Sequence, residues 1–196
     1  MRADAKKNYD HLLAVARDVV TEQGADASLR DIARKAGVGL GTLYRHFPTR
    51  EALLETLLRT RFDALKTAAH ELETAPSPDD ALVSWLRDLV ACANDYRGVI
   101  ASMVAAIEEE DSALHTSCVT MKAAGTRLLI RAQEKGLART DINGADLFAL
   151  VSALAWLGDQ PASASRAGHL FGVMTSAILT NPSGADVRAD DKAPRR

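Results

Sequence analysis

The stretch AGVGLGTLYRHFPTREALL, residues 36–54, packs Thr42, Tyr44, Arg45 and His46 into a few positions, with Arg50 close behind. Hydroxyl, phenol, guanidinium and imidazole groups are donors that suit phosphate oxygens, and a guanidinium also offers a two-pronged donor to a guanine edge. Gly39 and Gly41 stand beside them. Small residues at a helix start let the backbone approach a base edge or phosphate closely, and the partial positive charge there favours the anion. The chemistry is recognition of an anion, and the anion of repeating phosphates is nucleic acid.

Periodicity supplies the elements that must position these groups, and it is helical throughout. Leu12, Leu13, Ala16, Val19 and Val20 recur at helical spacing up to Gly24, where a left-handed cap costs glycine little. Ser28 can accept from the backbone of Asp31 and so start a short helix that buries Leu29, Ile32, Ala33 and Ala36 and stops at Gly37. A second short helix spans about Leu40 to Phe47, with Val38 and Leu43 facing inward and Leu40, Gly41, Thr42, Tyr44, Arg45 and His46 facing outward. The pair is a helix-turn-helix. Thr49 then caps a long helix striped by Leu54, Leu58, Phe62, Leu65, Ala69 and Leu72.

Ser77 and Pro78 form a cap and first-turn pair for the next helix, whose apolar face of Leu82, Trp85, Leu86, Leu89, Val90 and Ala93 is interrupted at Gly98. Leu114, Cys118, Met121, Gly125, Leu128 and Ala132 mark a further helix that ends before Gly136. Asn143 caps one carrying Leu147, Leu150, Val151 and Leu154, and a last segment over 163–180 carries Leu170, Val173, Met174, Ala177 and Ile178. From Asn181 the chain turns polar, which predicts a disordered tail over 181–196. The fold class is therefore all-α: a three-helix DNA-binding domain over 1–50 and a larger helical domain over 51–180.

SLRDIARKAGVGLGTLYRHFPTREALL resembles the DNA-binding signature of the tetracycline-repressor (TetR) family of bacterial transcription regulators, with the close match over about residues 10–60. The resemblance implies that Thr42, Tyr44, His46 and Arg50 hold the phosphate backbone while Leu40, Gly41 and Arg45 meet bases in the major groove. For Arg45, base reading and phosphate clamping remain equally open. Arg30, at the start of the preceding helix, is a candidate second base reader. In one departure from the family, Gly39 caps the recognition helix where Ser or Thr is common, so any hydroxyl contact there is lost.

Composition is consistent with this division. The chain of 196 residues has net charge −2, with eleven Lys and Arg against eight Asp and Glu over residues 1–62 and thirteen against eighteen over 63–196. That is a mildly basic head on an acidic body. No apolar run reaches the length of a membrane span and the N-terminus lacks a signal-peptide pattern, which predicts a soluble, cytoplasmic protein without a membrane partner. Two cysteines, Cys92 and Cys118, are too few for a disulfide framework. Glu108 to Asp111 with His115 and Cys118 could be imagined as a metal or redox sensor, but Cys118 lies on the apolar stripe, so no metal or other cofactor is expected. No nucleophile elbow, Walker loop or dinucleotide fingerprint is present, and GVGLG joins two helices with no strand before it, so the chain does not read as an enzyme.

One such head reads too few base pairs, so the expected functional unit is a homodimer on a palindromic operator. The resemblance implies dimerisation through the last two long helices, with Leu147, Val151, Leu154, Leu170, Val173, Met174 and Ile178 as interface candidates; the same residues would also serve a protomer core. Trp85, Leu89, Met103, Met121 and Trp156 are candidates to line an effector pocket, though helical spacing suits plain core equally. The expected partners are double-stranded DNA, a second copy of the chain and a small-molecule effector that releases a repressor. The alternative is a regulator controlled by a protein partner.

Overall fold

The computed structural model describes residues 2–160 and 163–180. The tail expected over 181–196 lies outside the described residues. All regular structure within them is helical, in line with the all-α expectation.

Three helices build the head. α1 (Arg2–Gln23) buries Leu12, Ala16, Val19 and Val20 and ends at Gly24, whose φ of +69° is the left-handed conformation that glycine adopts without penalty. A single 3-10 turn, Gly24–Asp26, follows. α2 (Leu29–Lys35) starts where the Ser28 hydroxyl accepts from the Asp31 N–H at 3.5 Å, and α3 (Leu40–His46) follows a turn at Gly37, φ +66°. Thr49 accepts from the Ala52 N–H at 3.0 Å and opens α4 (Arg50–Leu72). This helix buries Leu53, Leu54, Leu57, Leu58, Phe62, Leu65 and Ala69, and it crosses the expected boundary at residue 50 without a break.

The body packs around the far part of α4. α5 (Pro78–Asp95) and α8 (Ala113–Glu134) lie against it, and α9 (Gly144–Asp159) covers α5. Between α5 and α8 come two short helices, α6 (Arg97–Ser102) and α7 (Val104–Glu108). A 3-10 turn, Ala164–Arg166, leads into α10 (Ala167–Ile178), so the final segment is shorter than its expected span. The loop after α8 is tied to the end of α10, with the Arg139 N–H donating to the Ile178 carbonyl at 2.9 Å and the Thr180 N–H to that of Leu137 at 3.1 Å.

Two local expectations need correction. The break after α5 falls at Tyr96, not Gly98, which lies inside α6; the buried Tyr96 ends one helix and begins the next. Ser77 does cap α5 in position, but its hydroxyl donates to the Asp79 carboxylate at 2.7 Å instead of accepting from the backbone. A nearby carboxylate is the stronger partner, and the hydroxyl turns its hydrogen toward it.

The tightest packing in the body is Trp85 against Gly125. The Trp85 indole N–H donates to the Leu65 carbonyl at 2.9 Å, the ring stands edge-on to Phe148 at 6.1 Å, and a Cβ at Gly125 would lie 2.1 Å from it. With α4 and α9 holding the ring, it has nowhere to retreat. Gly125→Ala should therefore destabilise the protein by about 1–3 kcal/mol through overpacking. Chemical denaturation checks this, and an unchanged midpoint would mean that the ring can move aside.

Candidate nucleic-acid interface

α3 is oriented by what it buries. Leu43 is 0% exposed and Phe47, at the helix end, 2%, so two turns of helix are pinned to the head core and the opposite face has to look outward. Gly39 is extended and its carbonyl accepts from the Thr42 and Leu43 N–H groups at 2.8 and 3.2 Å. Gly41, Tyr44, Arg45 and His46 are exposed, with Tyr44 at 46%, and Thr42 is half-buried. Arg30 is exposed on the first turn of α2. The exposed set sits on a helix that cannot roll, which is the preorganisation a reading head needs.

The structure also modifies the expected roles. Leu40 is half-buried against the head core rather than outward, because its place at the first turn of α3 brings it back over the helix-turn-helix corner. Arg45 lies along its own helix, donating to the Gly41 carbonyl and the Thr42 hydroxyl, each at 3.3 Å. Such long surface bonds are readily exchanged for a base or a phosphate. The His46 ring meets Tyr9 of α1 edge-on at 5.4 Å, and Tyr9 in turn stacks on Phe47 at 5.7 Å. Arg50 donates to Asp26 at 3.2 Å, while its Nε is buried without a partner. Tyr9 and Asp26 escaped the sequence reading; each lies outside the motif and meets it only in three dimensions.

Neither Gly39, which caps α3, nor Gly41 within it is demanded by the fold. A Cβ at Gly41 would meet nothing within 4 Å, one at Gly39 only the Thr42 hydroxyl at 3.9 Å, and neither residue has positive φ.

Of the residues expected to line a pocket, Trp85, Leu89, Met103 and Met121 are buried and Trp156 is 62% exposed. A groove of about 740 Å³ between α1 and α4 is lined by none of the five. The interface candidates divide as well: Leu147, Val151, Met174 and Ile178 are buried in the protomer and Leu154 and Leu170 half-buried, leaving Val173 at 52% exposure. Among the described residues the exposed large apolar side chains of these helices are Leu150, Trp156 and Val173. α9 is apolar on both faces, so spacing alone could not tell core from surface.

Cys92 and Cys118 are buried, and burial pushes the Cys92 thiol up to about 11 and raises that of Cys118. Thiols held protonated in this way are poor nucleophiles and poor metal ligands. Among the described residues no group of His, Cys, Asp and Glu could hold a metal ion, and no helix is long and apolar enough to cross a membrane.

Comparison with known proteins meets this geometry at both ends of the chain. Residues 12–57 match the family described as bacterial regulatory proteins, tetR family, and residues 77–178 match the C-terminal domain of SbtR-like transcriptional regulators. A TetR transcriptional regulator from Streptomyces coelicolor is 33% identical in sequence, with a TM-score of 0.70 over 89% of this chain and 99% of that one. One from Mycobacterium vanbaalenii is 30% identical, with a TM-score of 0.66 over 91% and 98%. An HTH-type transcriptional regulator of Staphylococcus aureus is 39% identical over 67 residues, and that match spans only 35% of the relative's length.

Replacing the glycine of α3 separates fold from recognition. Gly41→Ala should raise stability by about 0.5–1 kcal/mol through helix propensity while weakening DNA binding, because the added methyl fills the approach to the groove. Thermal denaturation and DNA titration of the same variant check the two halves. Tighter DNA binding would show that nothing comes close to Gly41.

Proposed function

The chain belongs to the TetR family of bacterial transcriptional regulators, non-enzymatic DNA-binding proteins, and from that premise we propose that it is a homodimeric repressor of a palindromic operator, released by a small-molecule effector. The observation that carries the reading is the locked recognition helix with an outward face of glycine, tyrosine and arginine that the fold itself does not use. In this reading residues 1–50 are the DNA-binding domain and 51–180 the effector and dimerisation domain. Tyr44, Thr42, His46 and Arg50 contact phosphates, and Gly41, Arg45 and Arg30 face bases. Gly39 lets the backbone come close, and Leu40 supports the corner with only its exposed part available to the groove.

Dimerisation in this reading uses the outward side of α9 and α10. A soluble protomer gains nothing from presenting Leu150, Trp156 and Val173 to water, and a second copy of the same surface covers them by two-fold symmetry. The two recognition helices then meet successive major grooves roughly 34–36 Å apart.

Selection of genomic fragments by the purified protein at physiological salt tests the whole. A palindrome with half-sites about one helical turn apart is expected, and retention of DNA without sequence preference would sink the reading. Trp156→Asp should shift the protein from dimer to monomer in sedimentation and lower operator affinity with it; a dimer that survives places the interface elsewhere.

Arg50 offers a sharper check on the phosphate contacts. In the free head it is held by Asp26, so a phosphate must displace that carboxylate. Asp26→Asn should raise affinity for matched and unmatched duplexes alike by a few-fold, and Arg50→Ala should lower both. A change confined to the matched duplex would assign Arg50 to base reading.

A further inference from the structure

α1 is tied to the body at one end and to the recognition helix at the other. The turn that follows it, Gly24–Asp26, packs on α6, while near its start Tyr9 meets His46 edge-on at 5.4 Å and stacks on Phe47 at 5.7 Å. The start of α1 therefore stands beside the last turn of α3, next to the histidine that the reading above sets on a phosphate.

Two side chains there are unengaged. The Tyr9 ring is half-buried by its aromatic neighbours, and among the described residues no group bonds its hydroxyl. A tyrosine with a packed body and a free tip is a donor held in a fixed place. Lys6 is exposed. Arg17, Arg34, Lys35 and Arg50 are each ion-paired within the head, whereas among the described residues Lys6 is within ion-pair distance of no carboxylate, Asp10 one turn later included.

Helix geometry separates Lys6 from its neighbour Lys7. At about 100° per residue, Lys6 lies about 60° round α1 from Tyr9 and about 4.5 Å nearer the helix start, whereas Lys7 lies about 160° away. Helical side chains lean toward the N-terminus, so the Lys6 stem reaches on past Tyr9 and away from the body.

We propose that the start of α1 is a third element of the DNA interface, in which the Tyr9 hydroxyl and the Lys6 ammonium bind backbone phosphate beside the contact made by His46. The inference deepens the DNA-binding reading above and rests on it. Phosphate contacts position a protein without reading sequence, so these two add affinity on every duplex and fix the end of α3 against the backbone.

A contact blind to sequence can be tested on a mixed-sequence duplex of about 30 base pairs, titrated by fluorescence anisotropy at several salt concentrations. Lys6→Ala should lower affinity about three- to tenfold and reduce the slope of log affinity against log salt by about one for each head on the duplex, because one counterion fewer is released. Tyr9→Phe keeps the ring and loses only a neutral donor, so affinity should fall about two- to fivefold with the slope unchanged. Lys7→Ala, on the far side of the helix, should leave the slope alone and change affinity by less than about twofold. All three variants should melt with the parent. Equal slopes for parent and Lys6→Ala, equal losses for the Lys6 and Lys7 variants, full affinity in Tyr9→Phe, or a lowered melting temperature that accounts for the loss overturns the proposal and leaves α2, α3 and the start of α4 as the whole interface. A parent protein that binds no duplex removes the DNA-binding reading itself, and these contacts with it.

Discussion

One helix has to close two hydrophobic cores, and most of the architecture follows from that. α4 is 23 residues long, about 34 Å at the rise of an α-helix, and its buried side chains run from Leu53 near its start to Ala69 near its end. The first turns complete the head with α1, and the remainder is flanked by α5 and α8. A helix with both ends anchored transmits rotation instead of absorbing it. Head orientation is thus set by packing in the body.

The head is small and gains its rigidity from a few fully buried residues. Leu43 and Phe47 hold α3, Ile32 and Ala33 hold α2, and the aromatic contact of Tyr9 with His46 and Phe47 fastens the start of α1 to the end of the recognition helix. His46 therefore has a structural occupation beside any phosphate contact. Arg50 is similarly double: it closes the head against Asp26 and is also the cation nearest the start of α4. A surface ion pair of this sort contributes little stability, so it can be given up to a phosphate at small cost.

Features governed by a few neighbouring residues were legible in the sequence. The caps at Ser28, Thr49 and Asn143, the left-handed cap at Gly24, the turn at Gly37 and the burial of Leu43 each depend on contacts within one or two turns. The helix-turn-helix was legible for the same reason. What escaped depends on which of two apolar faces meets the core. In α9, Leu147 and Val151 turn inward while Leu150 and Trp156 turn out, and no polar face marks the difference. The groove between α1 and α4 escaped more completely, because its walls come from residues near 14, 60 and 95 and no stretch of chain contains it. Large adaptable side chains suggested a site around Trp85, and what spacing could not show is that this ring fills the space above Gly125.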